Sequence, residues 1–357
     1  MPDLEKTFSQ RLLRWARDCD RPMPWKGELD PYKIWLSEII LQQTRVAQGR
    51  PYYERFLARF PDLKALAAAE EDEVIRLWQG LGYYTRARNL LRAARDIRDR
   101  FGGRFPDRYA QILSLPGIGP YTAAAIASFA FGLPHAVLDG NVIRVLTRIF
   151  GIDEAMDKSA GRARLQSLAN RLINRKAPGS YNQAIMDLGA TVCLPLNPHC
   201  PDCPFARDCT AYLRGNPAAY PVKSKRRKKR KRILHYLALE ENEKLAIRKR
   251  EEKDIWRGLY EFPLIESGKA LSAKELLNDP LLENAALKGN ADERAHLQSI
   301  RHELTHQTLE IRFFHFQLEW KKPPPFEMIA IDKLNKFAFP KPIENLLKEK
   351  FLYLGLD

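Results

Sequence analysis

Two hydrophobic periods divide this 357-residue chain, and they do not mix. Up to about residue 215, apolar side chains return every three or four positions, the spacing of amphipathic helices. From Ile233 onward they alternate instead, over 233–239, over 244–248 after a turn-like Glu241-Asn242-Glu243, and over 308–320, with a closing helix over 343–352. Between the two lies Gly215-Asn-Pro-Ala-Ala-Tyr-Pro221, a run of turn formers, followed by 223–232, where nine of ten residues are Lys or Arg. The pattern predicts a mainly α region over 1–215, a basic linker over 216–232 and an α+β domain over 233–357. No internal repeat suggests a solenoid, and the length lets each part bury its own core.

Within the helical region, Asp30-Pro31 marks a helix start, with Asp as N-cap and Pro in the first turn; Tyr32, Trp35, Leu36, Ile39 and Ile40 follow at helical spacing. Similar segments run over 57–66, 72–77, 87–97, 121–131 and 162–173. The longest apolar stretch, 122–133, is too short for a bilayer and is interrupted by Ser128 and Gly132. Residues 1–14 carry Asp3, Glu5, Lys6 and Arg11 without an apolar run, so secretion is not expected; the expected location is cytoplasmic, nucleoid-associated in a bacterium, and nuclear or mitochondrial only in a eukaryotic host. The net charge of +15 makes a polyanion the first partner to consider, yet the 223–232 run supplies nine of those charges. The run reads equally as a solvated linker and as a nucleic-acid contact.

Four short constellations carry chemistry. Leu115-Pro-Gly-Ile-Gly-Pro-Tyr-Thr122 joins two helical segments. Gly117 and Gly119 permit a tight turn with outward N–H groups, and Pro120 opens the next helix without losing a bond. Such a turn grips a phosphate, and it has the helix-hairpin-helix pattern of proteins that bind DNA without reading its sequence; the plainer reading is a simple helix connection. Glu38 lies in Ile34-Trp-Leu-Ser-Glu-Ile-Ile-Leu41, otherwise apolar but for Ser37. Desolvation would lift its pKa toward that of a usable acid, unless it pairs with a cation or faces solvent. Gln42-Gln43-Thr44 is read as continuing that helix with uncharged hydrogen-bonding groups. Leu138-Asp139-Gly140-Asn141-Val142 places a second acid where it caps a helix or, with Glu38, forms the acid and carboxylate that N-glycosidic hydrolysis requires. Cys193, Cys200, Cys203 and Cys209 fall within 17 residues in the pattern C-x6-C-x2-C-x5-C, which reads as a metal site; Cys19 stands apart as a packed thiol.

Taken together, Trp35 to Thr44, Gly80-Leu-Gly-Tyr-Tyr84, the hairpin, Leu138 to Val142 and the cysteine spacing resemble the MutY-type adenine DNA glycosylases of the helix-hairpin-helix superfamily that includes endonuclease III. The resemblance spans nearly all of residues 8–212. It implies a helix-hairpin-helix glycosylase fold with a six-helix module over 31–135 and an iron-sulfur module from 1–30 with 136–215. It also implies excision of adenine mispaired with 8-oxoguanine or guanine in double-stranded DNA by a monomer that flips the base. Glu38 would protonate adenine N7, and Asp139 would stabilise the oxocarbenium-like sugar, with Tyr121 and Asn141 supporting both. Gln183 would lie near the adenine, Gln43 and Tyr83 would enter the base stack, and Trp25, Lys26, Thr44 and Leu81 would add contacts. The cysteines would hold a [4Fe-4S] cluster; a zinc site more often pairs two C-x2-C units.

Position 121 carries a lysine in the superfamily's bifunctional glycosylase-lyases, so Tyr121 implies little strand cleavage. Trp256 to Pro263 resembles the Nudix-like domain by which the family recognises 8-oxoguanine, without the acidic run a Nudix hydrolase needs for its metal. The family's Phe-Ser-His loop falls on Leu304-Thr305-His306, where Leu304 replaces the aromatic residue, and Lys26 stands where some members have arginine. The alternatives are a bifunctional glycosylase-lyase and a non-enzymatic damage-binding protein in which Glu38 is structural.

Overall fold

The computed structural model of the chain describes residues 2–19, 21–222, 224, 229–288 and 295–351. In chain order the helices are α1 (Pro2–Ala16), α2 (Pro31–Leu41), α3 (Val46–Arg59), α4 (Leu63–Ala68), α5 (Glu71–Leu77), α6 (Thr85–Phe101) and α7 (Tyr109–Leu113). They continue as α8 (Pro120–Phe131), α9 (Gly140–Phe150), α10 (Ser159–Leu172), α11 (Pro178–Thr191), α12 (Thr210–Leu213), α13 (Ala273–Leu277) and α14 (Lys341–Leu346). The strands are β1 (Arg230–Glu241), β2 (Lys244–Lys249), β3 (Tyr260–Glu261), β4 (Leu264–Ser267), β5 (Ala285–Leu287), β6 (His296–Glu303), β7 (Gln307–Trp320) and β8 (Glu327–Ala330). Two compact units divide the chain, Met1–Ala69 with Arg88–Arg226 and Glu70–Ala87 with Arg227–Asp357.

The first unit is helical because its apolar stripes have nowhere else to go. Phe8 and Leu12 of α1, Val145 and Ile149 of α9, Leu165 of α10 and Ile185 and Leu188 of α11 form one buried cluster, in which Phe8 stacks on Phe205 at 4.4 Å. α2 packs on α8, whose run Ala123, Ala124, Ala125 and Ala127 is buried and keeps that side of the helix slim. The periodic segment 57–66 is two helices rather than one: α3 stops at Arg59, and Asp62 starts α4 by accepting a 2.7 Å bond from the Ala65 N–H. Pro61 accounts for the break, since it lacks an N–H and drives the preceding Phe60 out of helical geometry.

The second unit carries the strand pattern. β1 pairs in parallel with β7 from Arg230↔Gln307 to Glu240↔Gln317, and antiparallel with β4 and β2. The path runs β3-β2-β1-β7-β5, with β6 on β7 and β8 on β2. Both faces of the β1–β7 centre are covered: Leu234, Tyr236 and Phe313 meet Ile343 and Leu346 of α14, while Leu237, Leu239, Phe314 and Phe316 meet Leu276 and Leu282. The closing helix is shorter than expected, ending at Leu346 and followed by a π turn over Leu347–Phe351; Leu352 lies outside the described residues.

β1 begins inside the segment expected to be linker. Arg232 is buried and paired with Asp254 at 2.8 Å and Glu266 at 2.6 Å, beside Arg250, which meets the fully buried Glu261 at 2.7 Å. The last charge of the basic run is therefore a core ion-cluster member and not a solvated one. Residues 223 and 225–228 of that run lie outside the described residues.

Candidate active site

α2 is buried nearly all round. Asp30 caps it by accepting a 2.9 Å bond from the Tyr32 N–H, and Ile34, Trp35, Leu36, Ile39 and Ile40 are buried around Glu38, itself 9% exposed. The Glu38 carboxyl has been taken out of water and is pushed up to about 7. Burial is the main cause; the Tyr121 hydroxyl pulls the other way and the Asp139 carboxylate adds to the rise. Tyr121 lies on the first turn of α8, where its hydroxyl reaches the Glu38 carboxylate and also the Met186 sulfur at 3.6 Å; the carboxylate is the stronger acceptor. Burial, with both acids nearby, lifts the Tyr121 pKa well above the ordinary phenol range, so it stays a neutral donor.

Asp139 is the N-cap of α9. One oxygen accepts from the Val142 N–H at 2.7 Å and the other from Asn141 Nδ2 at 2.9 Å. Burial raises its pKa, while these bonds and the Arg144 charge oppose the rise. The expected cap and the expected carboxylate are thus the same group: capping fixes where the acid points. Asn141 is held in turn by Arg144, which donates to Asn141 Oδ1 at 2.9 Å, to the Gly189 carbonyl at 2.6 Å and to the Cys193 carbonyl at 2.7 Å. A Cβ on Gly189 would lie 2.7 Å from Asn141 Cβ, so only glycine fits there.

Trp25, Lys26, Glu38, Gln43, Thr44, Tyr121, Asp139, Asn141 and Gln183 all line one open cleft of about 1370 Å³ in the first unit. The basic residues Arg17, Arg21, Lys26 and Arg162 line it as well. The segment 42–44 does not continue α2, which ends at Leu41: Gln43 takes φ 58, in the left-handed region. Gln42 caps the helix end and bonds Thr122 of α8 at 3.2 Å.

The hairpin glycines lie outside that cleft and differ from each other. Gly117 has φ +76, and a Cβ there would meet Asn89 Cβ at 2.6 Å. Gly119, the N-cap of α8, has an ordinary φ of −93 and no atom within 4 Å of an added Cβ, so the turn itself requires only the first glycine. In the second unit, Tyr83 (φ 48) is exposed and its hydroxyl lies 2.7 Å from Thr305 Oγ1, while Leu81 is buried. Thr305 and His306 are exposed in the turn between β6 and β7, closed by a 2.9 Å bond from Leu304 N–H to the Gln307 carbonyl. Leu304 packs against the core of this unit.

The four clustered cysteines line one small pocket with Val145, Arg148, Ile149 and Leu188. Arg148 is buried and donates to the carbonyls of Leu194, Pro195 and Pro217 and to the Cys193 sulfur at 3.4 Å. Burial, then repulsion from the other three, pushes Cys203 up to about 12, and burial raises Cys200 and Cys209. Four thiols gathered in one pocket, three of them (Cys200, Cys203 and Cys209) made harder to ionise by burial and by their neighbours, suit a cationic centre that draws off their protons. Among the described residues no set of three or more His, Cys, Asp or Glu converges in the geometry of a single metal ion.

Sequence reasoning missed Arg21, Arg144 and Asp187. Of these only Asp187 left a trace, four residues after Gln183 on the same helical face.

Residues 36–171 match the HhH-GPD superfamily of base excision DNA repair proteins, and 235–349 match the NUDIX domain. The chain is 33% identical over 351 residues to the adenine DNA glycosylase of Buchnera aphidicola subsp. Schizaphis graminum, covering 96% of this chain and 98% of that one. It is 33% identical over 373 residues to the human adenine DNA glycosylase, covering 88% and 68%. Among solved structures, a thermostable thymine-DNA glycosylase superposes with a TM-score of 0.55 at 29% identity, over 60% of this chain and 98% of that one. A non-covalent endonuclease III–DNA complex, at 20% identity and a TM-score of 0.52 over 60% and 98%, shares the fold. With a relative matched along almost its whole length, and with the buried Glu38 and the half-buried Asp139 lining one cleft in a base-excision-repair fold, the chain belongs to the adenine DNA glycosylase family.

Proposed function

We propose that this chain excises adenine mispaired with 8-oxoguanine or guanine in duplex DNA, by flipping the base out of the stack and hydrolysing its N-glycosidic bond with acid assistance. The observation that carries the reading is the Glu38 carboxyl, pushed to about 7 at the wall of the cleft it shares with Asp139. An acid with that pKa is protonated in an appreciable fraction at neutral pH and can still release its proton. Glu38 donates to adenine N7, which makes the base a better leaving group. Asp139, with its two oxygens fixed by Val142 and Asn141, faces the cationic sugar or bonds to it transiently until water completes hydrolysis. Tyr121 holds Glu38 without competing for the proton.

The N-terminus of α8, left bare by Gly119, receives a backbone phosphate. Gln43 and Tyr83, both in left-handed backbone geometry, serve as the wedge that fills the vacated stack, and a strained non-glycine backbone is often kept for such a task. Thr305 and His306 read the 8-oxoguanine. Cys193, Cys200, Cys203 and Cys209 would hold a [4Fe-4S] cluster, which supplies a rigid, charged fold element rather than chemistry at the base. The enzyme acts as a monomer and, lacking a lysine at 121, leaves an abasic site unbroken.

The test is base release and strand scission on duplexes carrying A:8-oxoguanine, A:G, A:T and C:8-oxoguanine. Adenine should be released from the first two, with breaks appearing only after alkali. No release from either mispair, or efficient scission without alkali, contradicts the reading.

A further inference from the structure

Asp187 is a carboxylate with 3% of its surface exposed, one turn beyond Gln183 on α11. Its Oδ1 accepts from Arg21 at 2.9 Å and from Gln183 Nε2 at 3.0 Å, and Lys26 Nζ lies 3.8 Å from Oδ2. The two ends of a glutamine amide have nearly the same shape and opposite hydrogen-bonding character, so the partner decides which end points where. A carboxylate paired with an arginine can only accept. The NH₂ end of Gln183 is therefore committed to Asp187, and its carbonyl oxygen is the end turned away, on a side chain that lines the cleft.

We propose that Asp187 is a positioning residue that locks the amide of Gln183 with its acceptor presented to the flipped base, and so selects a purine with an amino group at position 6 over one with a carbonyl there. The inference rests on the adenine-excision reading and goes beyond it, because it names the group that sets the polarity of the cleft. A 6-amino group donates to that oxygen. A 6-oxo group meets it lone pair to lone pair, leaving two buried acceptors unpaired, a mismatch that discriminates by roughly 10- to 100-fold. A purely structural Asp187, joining α11 to the 21–26 segment, would slow both bases equally on removal and leave their ratio alone.

The experiment is single-turnover release of adenine and of hypoxanthine, each opposite 8-oxoguanine, by the full chain. Wild type should release adenine at least about tenfold faster. Asp187→Leu frees the amide to turn, and the adenine-to-hypoxanthine ratio should fall by about tenfold or more. In Asp187→Leu/Gln183→Glu the carboxylate accepts at either end, so the ratio should return toward wild type without restoring the lost ion pairs. Asp187→Asn, whose carbonyl can still accept from Gln183, should keep most of it. An unchanged ratio in Asp187→Leu overturns the inference while leaving adenine excision intact. If the leucine variants fail to fold, a wild-type enzyme that treats the two bases alike overturns it instead. A wild type that releases adenine from neither 8-oxoguanine nor guanine mispairs removes the underlying reading as well.

Discussion

Replacing Glu38 by glutamine should stabilise the first unit, and only above a defined pH. In the fold the Glu38 carboxyl titrates near 7, against 4.5 for an ordinary glutamic acid. Below about pH 4.5 both folded and unfolded chains hold the proton, and Glu38 differs little from Gln. Between 4.5 and 7 the unfolded chain has released its proton while the folded one keeps it, so stability drops as pH rises; above 7 the loss is complete. At about 1.4 kcal/mol per pH unit, the full penalty is about 3 kcal/mol. For a unit of roughly 200 residues, that corresponds to a melting shift of about 6–12 °C. The assay is the melting temperature of the first unit's transition for wild type and Glu38→Gln at pH 5, 6, 7 and 8. The gap between them should open in favour of Glu38→Gln as pH rises and level off above about 7. Parallel curves would refute the buried, protonated acid, and a gap opening toward low pH would mean that Glu38 is held as a carboxylate by a cation.

The two hairpin glycines should separate fold from function. Gly117→Ala must bear both a left-handed backbone and a 2.6 Å approach to Asn89, and should cost about 2–3 kcal/mol of stability by denaturant melting. Gly119→Ala meets nothing and should melt like wild type, yet bind nonspecific duplex DNA more weakly, with the difference shrinking at high salt. For the cysteine pocket, purified protein should be brown, with broad visible absorption and close to four irons per chain on elemental analysis. A colourless protein containing zinc would contradict the cluster assignment.

What was legible in the sequence follows from how far each signal reaches along the chain. Glu38 was visible because an acid inside Ile34 to Leu41 has no local reason to be there, and Asp139 because capping is written within three residues. The helix end at Leu41 was not, since Gln42 and Gln43 are good helix formers; the left-handed turn at Gln43 is set instead by the packing that ties Gln42 to Thr122. The split between α3 and α4 is written in Pro61, whose missing N–H outweighs the continuous apolar spacing over 57–66. Arg232 reads as one more charge in a run because its partners, Asp254 and Glu266, come 22 and 34 residues later. Asp187 escaped for the same reason: the arginine that makes it an acceptor lies 166 residues upstream.

The proposed mechanism has Glu38 deliver the proton that releases adenine. It is tested most directly by single-turnover release of adenine from an A:8-oxoguanine duplex at pH 7 by wild type and by Glu38→Gln. Wild type should release the base, and Glu38→Gln should bind the same duplex but release it about 10²- to 10⁴-fold more slowly, the usual worth of a positioned general acid. A Glu38→Gln variant that releases adenine as fast as wild type would contradict the claim.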